Sequence, residues 1–393
     1  MSTAAASPAV MSSSAGAATA KPTVPFMLPG LHEADIEAVN KVLKSGMLRA
    51  AGKCEELEKR LGSMSGAKHA MTCANGTCAL QLAYEPLFAR GDDVLVPAWS
   101  YIATAAMLVA RGCNPIFVDA DPATGQIDVV DAAKRVTKKT TGIAATHMYG
   151  TPVDIDGVQD LAKKHGFKVV YDCAQSHLST FKGQPVGVFG DAVTYSFYAT
   201  KNLGTGEGGM ITCNDDALAR QIKLLRSHGE TEKYLHEQIG YNYRMNDMAG
   251  AIACSRLDRL PADTAARQAA AAKYDALLAE FSAYLTPMRV TPGAVSVYHL
   301  YTLQMNLAKL TCSRDEFSKA LMAEGVPSAV HYPRSLPQQP AFGAFMAMQS
   351  AGWPVADNLG ARVLSLPMHH GLTDAHFTQI INAIRKVISA NKC

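Results

Sequence analysis

From about Leu31 onward, short apolar runs alternate with segments of helical spacing. Residues 33–43 place apolar side chains every three or four positions, the period of an amphipathic helix. Residues 70–73 predict a strand, and residues 76–88 a helix directly after it. Residues 94–96 predict a second strand, closed by Pro97, with a helix over 101–109. Further strands are expected at 115–118, 143–146, 169–172, 192–197 and 209–212, with helices at 155–164 and 216–225. These strands are short and mostly apolar rather than strictly alternating. That pattern fits a mostly parallel sheet covered by helices on both faces.

After Leu260-Pro261 the order changes. A long alanine-rich helix is expected over 264–281, then a strand at 300–305, a helix at 314–323, and short strands at 328–331 and 362–366. In the last segment Phe377, Ile380, Ile381, Ile384, Val387 and Ile388 form one helical stripe. The expected fold class is therefore α/β: a large domain around a mostly parallel sheet (residues 25–260) and a smaller C-terminal α+β domain (residues 261–393). Residues 1–24 are expected to form a disordered Ala/Ser-rich tail. The tail lacks the charged start and apolar stretch of a secretory signal. Organellar targeting is the alternative, and the missing arginines count against it.

Composition narrows the class. The chain has 393 residues, 48% of them apolar and 18% charged, which is ordinary for a globular protein. A net charge of +3 without a dense Lys/Arg stripe argues against nucleic acid as a partner. No apolar run is long enough to span a bilayer, so no membrane partner is expected. The nine cysteines are scattered and form no C-x-x-C pair, so no metal site is expected. Unpaired thiols suit a reducing, cytoplasmic setting, and Cys173 and Cys213 read as small core residues.

The candidate chemistry centres on Lys201. It follows an apolar run and precedes Gly204, Gly206, Gly208 and Gly209. Asp172 ends the earlier apolar run 169–172. A lysine and an acid at the ends of two buried strands suit pyridoxal 5'-phosphate (PLP): the amine can form a Schiff base and the acid can hold the pyridine nitrogen protonated. Asn75-Gly76-Thr77 lies between a strand and a helix, where free N–H groups can bind phosphate. Ser196 can add a hydroxyl there, and Tyr101 can stack on the ring. Each residue also has a plainer reading: a surface lysine, a helix-capping aspartate, a glycine in an ordinary turn, a core tyrosine.

Together these segments resemble the DegT/DnrJ/EryC1/StrS family of PLP-dependent sugar aminotransferases, of the aspartate aminotransferase fold. The resemblance runs from about Pro25 to the last helix. It is carried in order by Asn75-Gly76-Thr77, residues 93–101, Phe117 to Pro122, His147-Met148-Tyr149-Gly150, Asp172-Cys173-Ala174-Gln175, residues 190–209, Gly240 to Met245, His331-Tyr332-Pro333 and Leu364 to Met368. It implies that Lys201 is the catalytic lysine linked to the cofactor and that Asp172 pairs with the pyridine nitrogen. Gln175 would touch the cofactor's polar edge. Thr77 and Ser196 would bind its phosphate, Gly76 giving access, and Tyr101 would stack on the ring. Asn242 would reach the phosphate from a neighbouring subunit, which implies a homodimer with shared sites. His331 and Tyr332 border the substrate region.

The implied reaction moves an amino group from an amino acid, with glutamate the expected donor, to a nucleotide-linked keto-deoxysugar, as in aminosugar and polysaccharide biosynthesis. Related dehydratases carry histidine where this chain has Lys201, which favours transamination. Pro337 stands where many relatives have histidine, so the sugar cannot be borrowed from them. Two alternatives remain at this point: a PLP enzyme of the same family acting on a cyclitol or catalysing elimination, and a non-catalytic binding or regulatory relative.

Overall fold

The computed structural model describes residues 24–28, 30–346, 349 and 351–393. The expected tail therefore lies outside the described residues, apart from Val24. That residue is buried, and its N–H donates to the Gly325 carbonyl at 3.4 Å.

Seven strands form the central sheet: β1 (His69–Cys73), β2 (Asp93–Pro97), β3 (Asn114–Val118), β4 (Thr140–Thr146), β5 (Lys168–Asp172), β6 (Ala192–Ser196) and β7 (Gly209–Cys213). Their order is β1-β7-β6-β5-β4-β2-β3. The pairs from β3 to β6 are parallel, whereas β7 runs antiparallel to both β6 and β1. The sheet is α/β and mostly parallel, as the apolar runs imply.

Alternation along β2 shows why both faces are covered. Val94 and Val96 join one buried cluster, and Leu95 joins another on the opposite face. Each such side chain contributes roughly 1.5–3 kcal/mol by leaving water, so the sheet is stabilised from both sides. Helices Gly76–Leu87 and Ala103–Arg111 help cover the first face, while Gly52–Ser65, Ile155–His165 and Asp247–Leu257 cover the second.

A three-stranded antiparallel sheet follows, with Tyr301–Met305 between Leu285–Pro287 and Val363–Leu366. The long helix Leu260–Leu278 and the helices Arg314–Ala323 and Asp374–Asn391 pack into its core. All six residues of the predicted stripe on the last helix are buried.

Several boundaries differ from the sequence reading. The helix expected at 101–109 is Ala103–Arg111, which leaves Tyr101 on the loop before it. The helix expected over 264–281 is Leu260–Leu278, followed by a 3-10 turn. The strand expected at 328–331 is a single bridge between Ala329 and Ser365, because His331 leaves the ladder and shares a side-chain hydrogen bond with Ser365 at 3.3 Å.

Candidate active site

The strand directions gather the predicted residues at one edge of the sheet. Asp172 and Ser196 end the parallel neighbours β5 and β6. β1 reaches the same edge because two antiparallel pairings, through β7, restore its direction. The Asn75-Gly76-Thr77 turn therefore arrives beside Ser196. A Cβ on Gly76 would sit 2.7 Å from the Ser196 Cβ and 3.1 Å from its Oγ. A Cβ on Gly209, at the start of β7, would lie 2.5 Å from the Asn75 carbonyl oxygen. Two glycines thus permit a close approach that no other residue allows. Asn75 caps the new helix through Cys78 N–H at 2.9 Å, and the helix N-terminus carries partial positive charge.

Asp172 is buried, 5% exposed. Its Oδ1 accepts from Ala174 N–H at 3.0 Å, and its Oδ2 from the Thr104 hydroxyl at 2.7 Å. Burial pushes its pKa up, while these donors and the Lys201 charge act the other way. Burial takes the Lys201 amine down to about 8, and Asp172 opposes that shift. The two groups therefore sense each other across the site. The loop carrying the lysine is pinned at several points. Lys201 N–H donates to the Tyr198 carbonyl at 2.8 Å, Arg256 to the Gly204 carbonyl at 2.9 Å, and Asn202 to the Val297 carbonyl at 3.2 Å.

The Gln175 amide is fixed at both ends. Its Oε1 accepts from Tyr149 N–H at 2.7 Å, and its Nε2 donates to the Tyr332 hydroxyl at 3.3 Å. The Tyr332 ring lies 5.9 Å from that of Tyr101, which is 56% exposed. Tyr149 donates to the His331 carbonyl at 2.6 Å and accepts from Trp99 Nε1 at 2.9 Å. Burial, with the Lys201 charge, takes His331 down to about 4, so its ring is neutral at neutral pH.

The residues suit PLP by their chemistry. The Gly76–Ser196 approach makes a cradle at a helix N-terminus, Asp172 is a buried acceptor, and Lys201 is an amine primed to lose its proton. Comparison with known proteins gives the same answer. Residues 29–385 match the DegT/DnrJ/EryC1/StrS aminotransferase family.

The chain belongs to that family.

It is accordingly a PLP-dependent aminotransferase. It is 36% identical over 360 residues to the UDP-N-acetyl-3-dehydro-alpha-D-glucosamine 3-aminotransferase of Acidithiobacillus ferrooxidans, covering 91% of this chain and 95% of that protein. The crystal structure of S. venezuelae DesV superposes with a TM-score of 0.88 at 31% identity, covering 94% of this chain and 99% of that one. Spr1654 from Streptococcus pneumoniae, solved in a PLP form, gives 0.86 at 27% identity and covers 93% and 99%.

Two of the family-implied residues are exposed within one subunit. Thr77 is exposed at the helix start. Asn242 is also exposed, between Tyr241 and Tyr243, whose rings stack at 4.6 Å. Those tyrosines reach the Gly76–Leu87 helix, Tyr243 donating to Gln81 at 3.0 Å. In an extended segment, alternate side chains point oppositely, so Asn242 faces away from that helix. Sequence reasoning assigned no role to Thr104 or Tyr149. A signal for Thr104 was present, since Ser100 and Thr104 have helical i, i+4 spacing directly after the second strand.

Proposed function

We propose that this aminotransferase moves an amino group from glutamate to the ketone of a nucleotide-linked keto-deoxysugar. The cofactor supplies an electron sink and carries nitrogen between donor and acceptor. In this reading Lys201 Nζ takes the proton from the donor's α-carbon and delivers one to the acceptor carbon. Asp172 holds the pyridine nitrogen protonated, and Ser196, Gly76 and Thr77 hold the phosphate. Gln175, clamped by Tyr149 and Tyr332, fixes the polar edge of the ring. Asn242 completes the phosphate site of a partner subunit in a homodimer.

The observation that carries the choice of acceptor is the exposed ring of Tyr198, three residues before the lysine and 49% exposed, where most large aromatic side chains are covered. An exposed aromatic face suits the apolar face of a sugar or a nucleobase, and Tyr101 is left to stack on the cofactor ring. The A. ferrooxidans relative, which aminates a UDP-linked 3-keto sugar by its name, supports the same class. The test is a panel of nucleotide-linked keto sugars and keto cyclitols offered with glutamate or glutamine. Release of 2-oxoglutarate with aminosugar formation is the expected result. Elimination without amino transfer, or transfer only to a cyclitol, would overturn the proposal.

A further inference from the structure

Behind Asp172 lies a set of hydroxyls that the reaction itself does not use. Ser100, Thr104 and Thr146 are 2%, 0% and 3% exposed. Their oxygens lie 2.9 Å apart for Ser100–Thr146, 3.2 Å for Thr104–Thr146 and 3.2 Å for Ser100–Thr104. Thr146 ends β4 and is the register partner of Asp172 on β5. Thr104 donates to Asp172 Oδ2 at 2.7 Å.

Counting hydrogens gives the set a direction. Each hydroxyl has one hydrogen to donate, and an ionised carboxylate can only accept. The Thr104 hydrogen is committed to Asp172, so Thr104 can only accept from the other two. Ser100 and Thr146 must then point their hydrogens toward Thr104 or toward each other. The chain of donors thus ends on the carboxylate, an arrangement that matches its ionised form. Protonating Asp172 on Oδ2 would put a second hydrogen into the 2.7 Å contact and force the set to turn round.

We propose that Ser100, Thr104 and Thr146 are positioning residues that keep Asp172 ionised and aimed, and so set how firmly it holds the pyridine nitrogen protonated. The proposal rests on the reading of Asp172 as that nitrogen's partner. The other titratable groups facing the carboxylate are Lys201, Tyr84, Tyr332 and Cys173. Burial pushes Tyr84, Tyr332 and Cys173 up, so they stay neutral at ordinary pH. Lys201 alone among them adds a favourable charge, and the hydroxyl set and the Ala174 N–H supply the hydrogen bonds beside it.

The test compares Thr104→Val, which keeps shape and removes the hydroxyl, with Thr104→Ser, which keeps the hydroxyl. In the full-length apoprotein, the Asp172 carboxyl is titrated by difference infrared spectroscopy, Asp172→Asn identifying its band. Thr104→Val is expected to move that titration to higher pH and to weaken PLP binding about tenfold, the loss of one charge-assisted hydrogen bond. Thr104→Ser should stay close to the parent in both. If Thr104→Val does not fold, Ser100→Ala and Thr146→Val should shift the titration in the same direction by less. A carboxyl titration unchanged in Thr104→Val, or shifted equally in Thr104→Ser, would overturn the proposal. Failure of the underlying reading looks different: Asp172→Asn would then leave PLP affinity and the absorption of the bound cofactor as in the parent.

Discussion

At the scale of single residues, Lys201 is held in a state that opposes stability. Burial lowers its pKa from 10.5 to about 8. At neutral pH the folded apoprotein therefore keeps an ammonium in a place that disfavours charge. Below about pH 8 both folded and unfolded chains hold the proton, and the full penalty applies. Between 8 and 10.5 the unfolded chain still binds a proton that the folded chain has released, so stability rises with pH across that window. Lys201→Met removes the ammonium. The apo variant should be more stable than the parent at pH 7 by up to about 3 kcal/mol, with the gap closing toward pH 10.5. Urea unfolding at several pH values measures this. A stability difference that stays flat from pH 7 to pH 10 would show that the lysine is not penalised. The same variant should lose the yellow, borohydride-reducible link to PLP, so the stability gain and the loss of chemistry are two readings of one buried amine.

At the scale of elements, one carboxylate starts a helix to which it does not belong. The Gly52–Ser65 helix has Ala51 before it and no side-chain cap of its own. Asp247, on the Asp247–Leu257 helix, accepts instead from Ala51 N–H at 2.8 Å, Lys53 at 3.0 Å and Cys54 at 3.0 Å. Burial opposes its ionisation, but these donors prevail and hold its pKa below the usual value. Asp247→Ala is expected to cost about 2–3 kcal/mol by leaving those N–H groups unpaired, measured by thermal unfolding. A loss within the range of an ordinary surface substitution would mean that water replaces the cap. The cost of Asp247→Ala should shrink in acid, because the depressed carboxylate pKa gives the parent stability that is lost as pH falls through it. This pair of helices also marks where the sequence was hard to read. Strands β2 to β7 stood out as short apolar runs and the final helix as an apolar stripe, and their places followed from these. The Asp247–Leu257 helix is built from Ala, Gly and Cys on nearly every side and is buried almost all round, so no apolar stripe marks it. The Gly52–Ser65 helix begins at a cap that lies far away in sequence. The lysine, the aspartate and the glycine turn were legible as residues, because each ends an apolar run. Their meeting depended on β1 crossing to pair with β7, a long-range choice that no local pattern encodes.

At the scale of the whole molecule, the sheet order bears on the proposal that one subunit completes the phosphate site of another. β1, β5 and β6 all deliver their ends to one edge, and the segment carrying Asn242 lies beside it, the Tyr243 carbonyl accepting from Ala74 N–H at 2.7 Å. Tyr241 N–H and Tyr243 N–H donate to the Leu225 and Arg226 carbonyls, which fixes the segment along the end of the Asp216–Arg226 helix. Next to it, the segment 230–239 exposes Tyr234, Leu235 and Ile239, the last at 92%. Exposed apolar side chains grouped this way suit a protein partner, and a second copy of the chain is the partner that the Asn242 reading requires. Complementation decides between a shared and a self-contained site. Lys201→Ala and Asn242→Asp are each expected to be inactive, the second by placing a negative charge against the phosphate. If Asn242 serves its partner, a hybrid dimer of the two variants has one site with both substitutions and one with neither. Unfolding and refolding an equal mixture should then restore about a quarter of parental activity, since half the dimers are hybrids and each has one of two sites intact. If Asn242 serves its own subunit, every site in every dimer carries one substitution. The mixture would then stay as inactive as its parts, and the shared-site reading would fail while the chemistry of Lys201 and Asp172 remained.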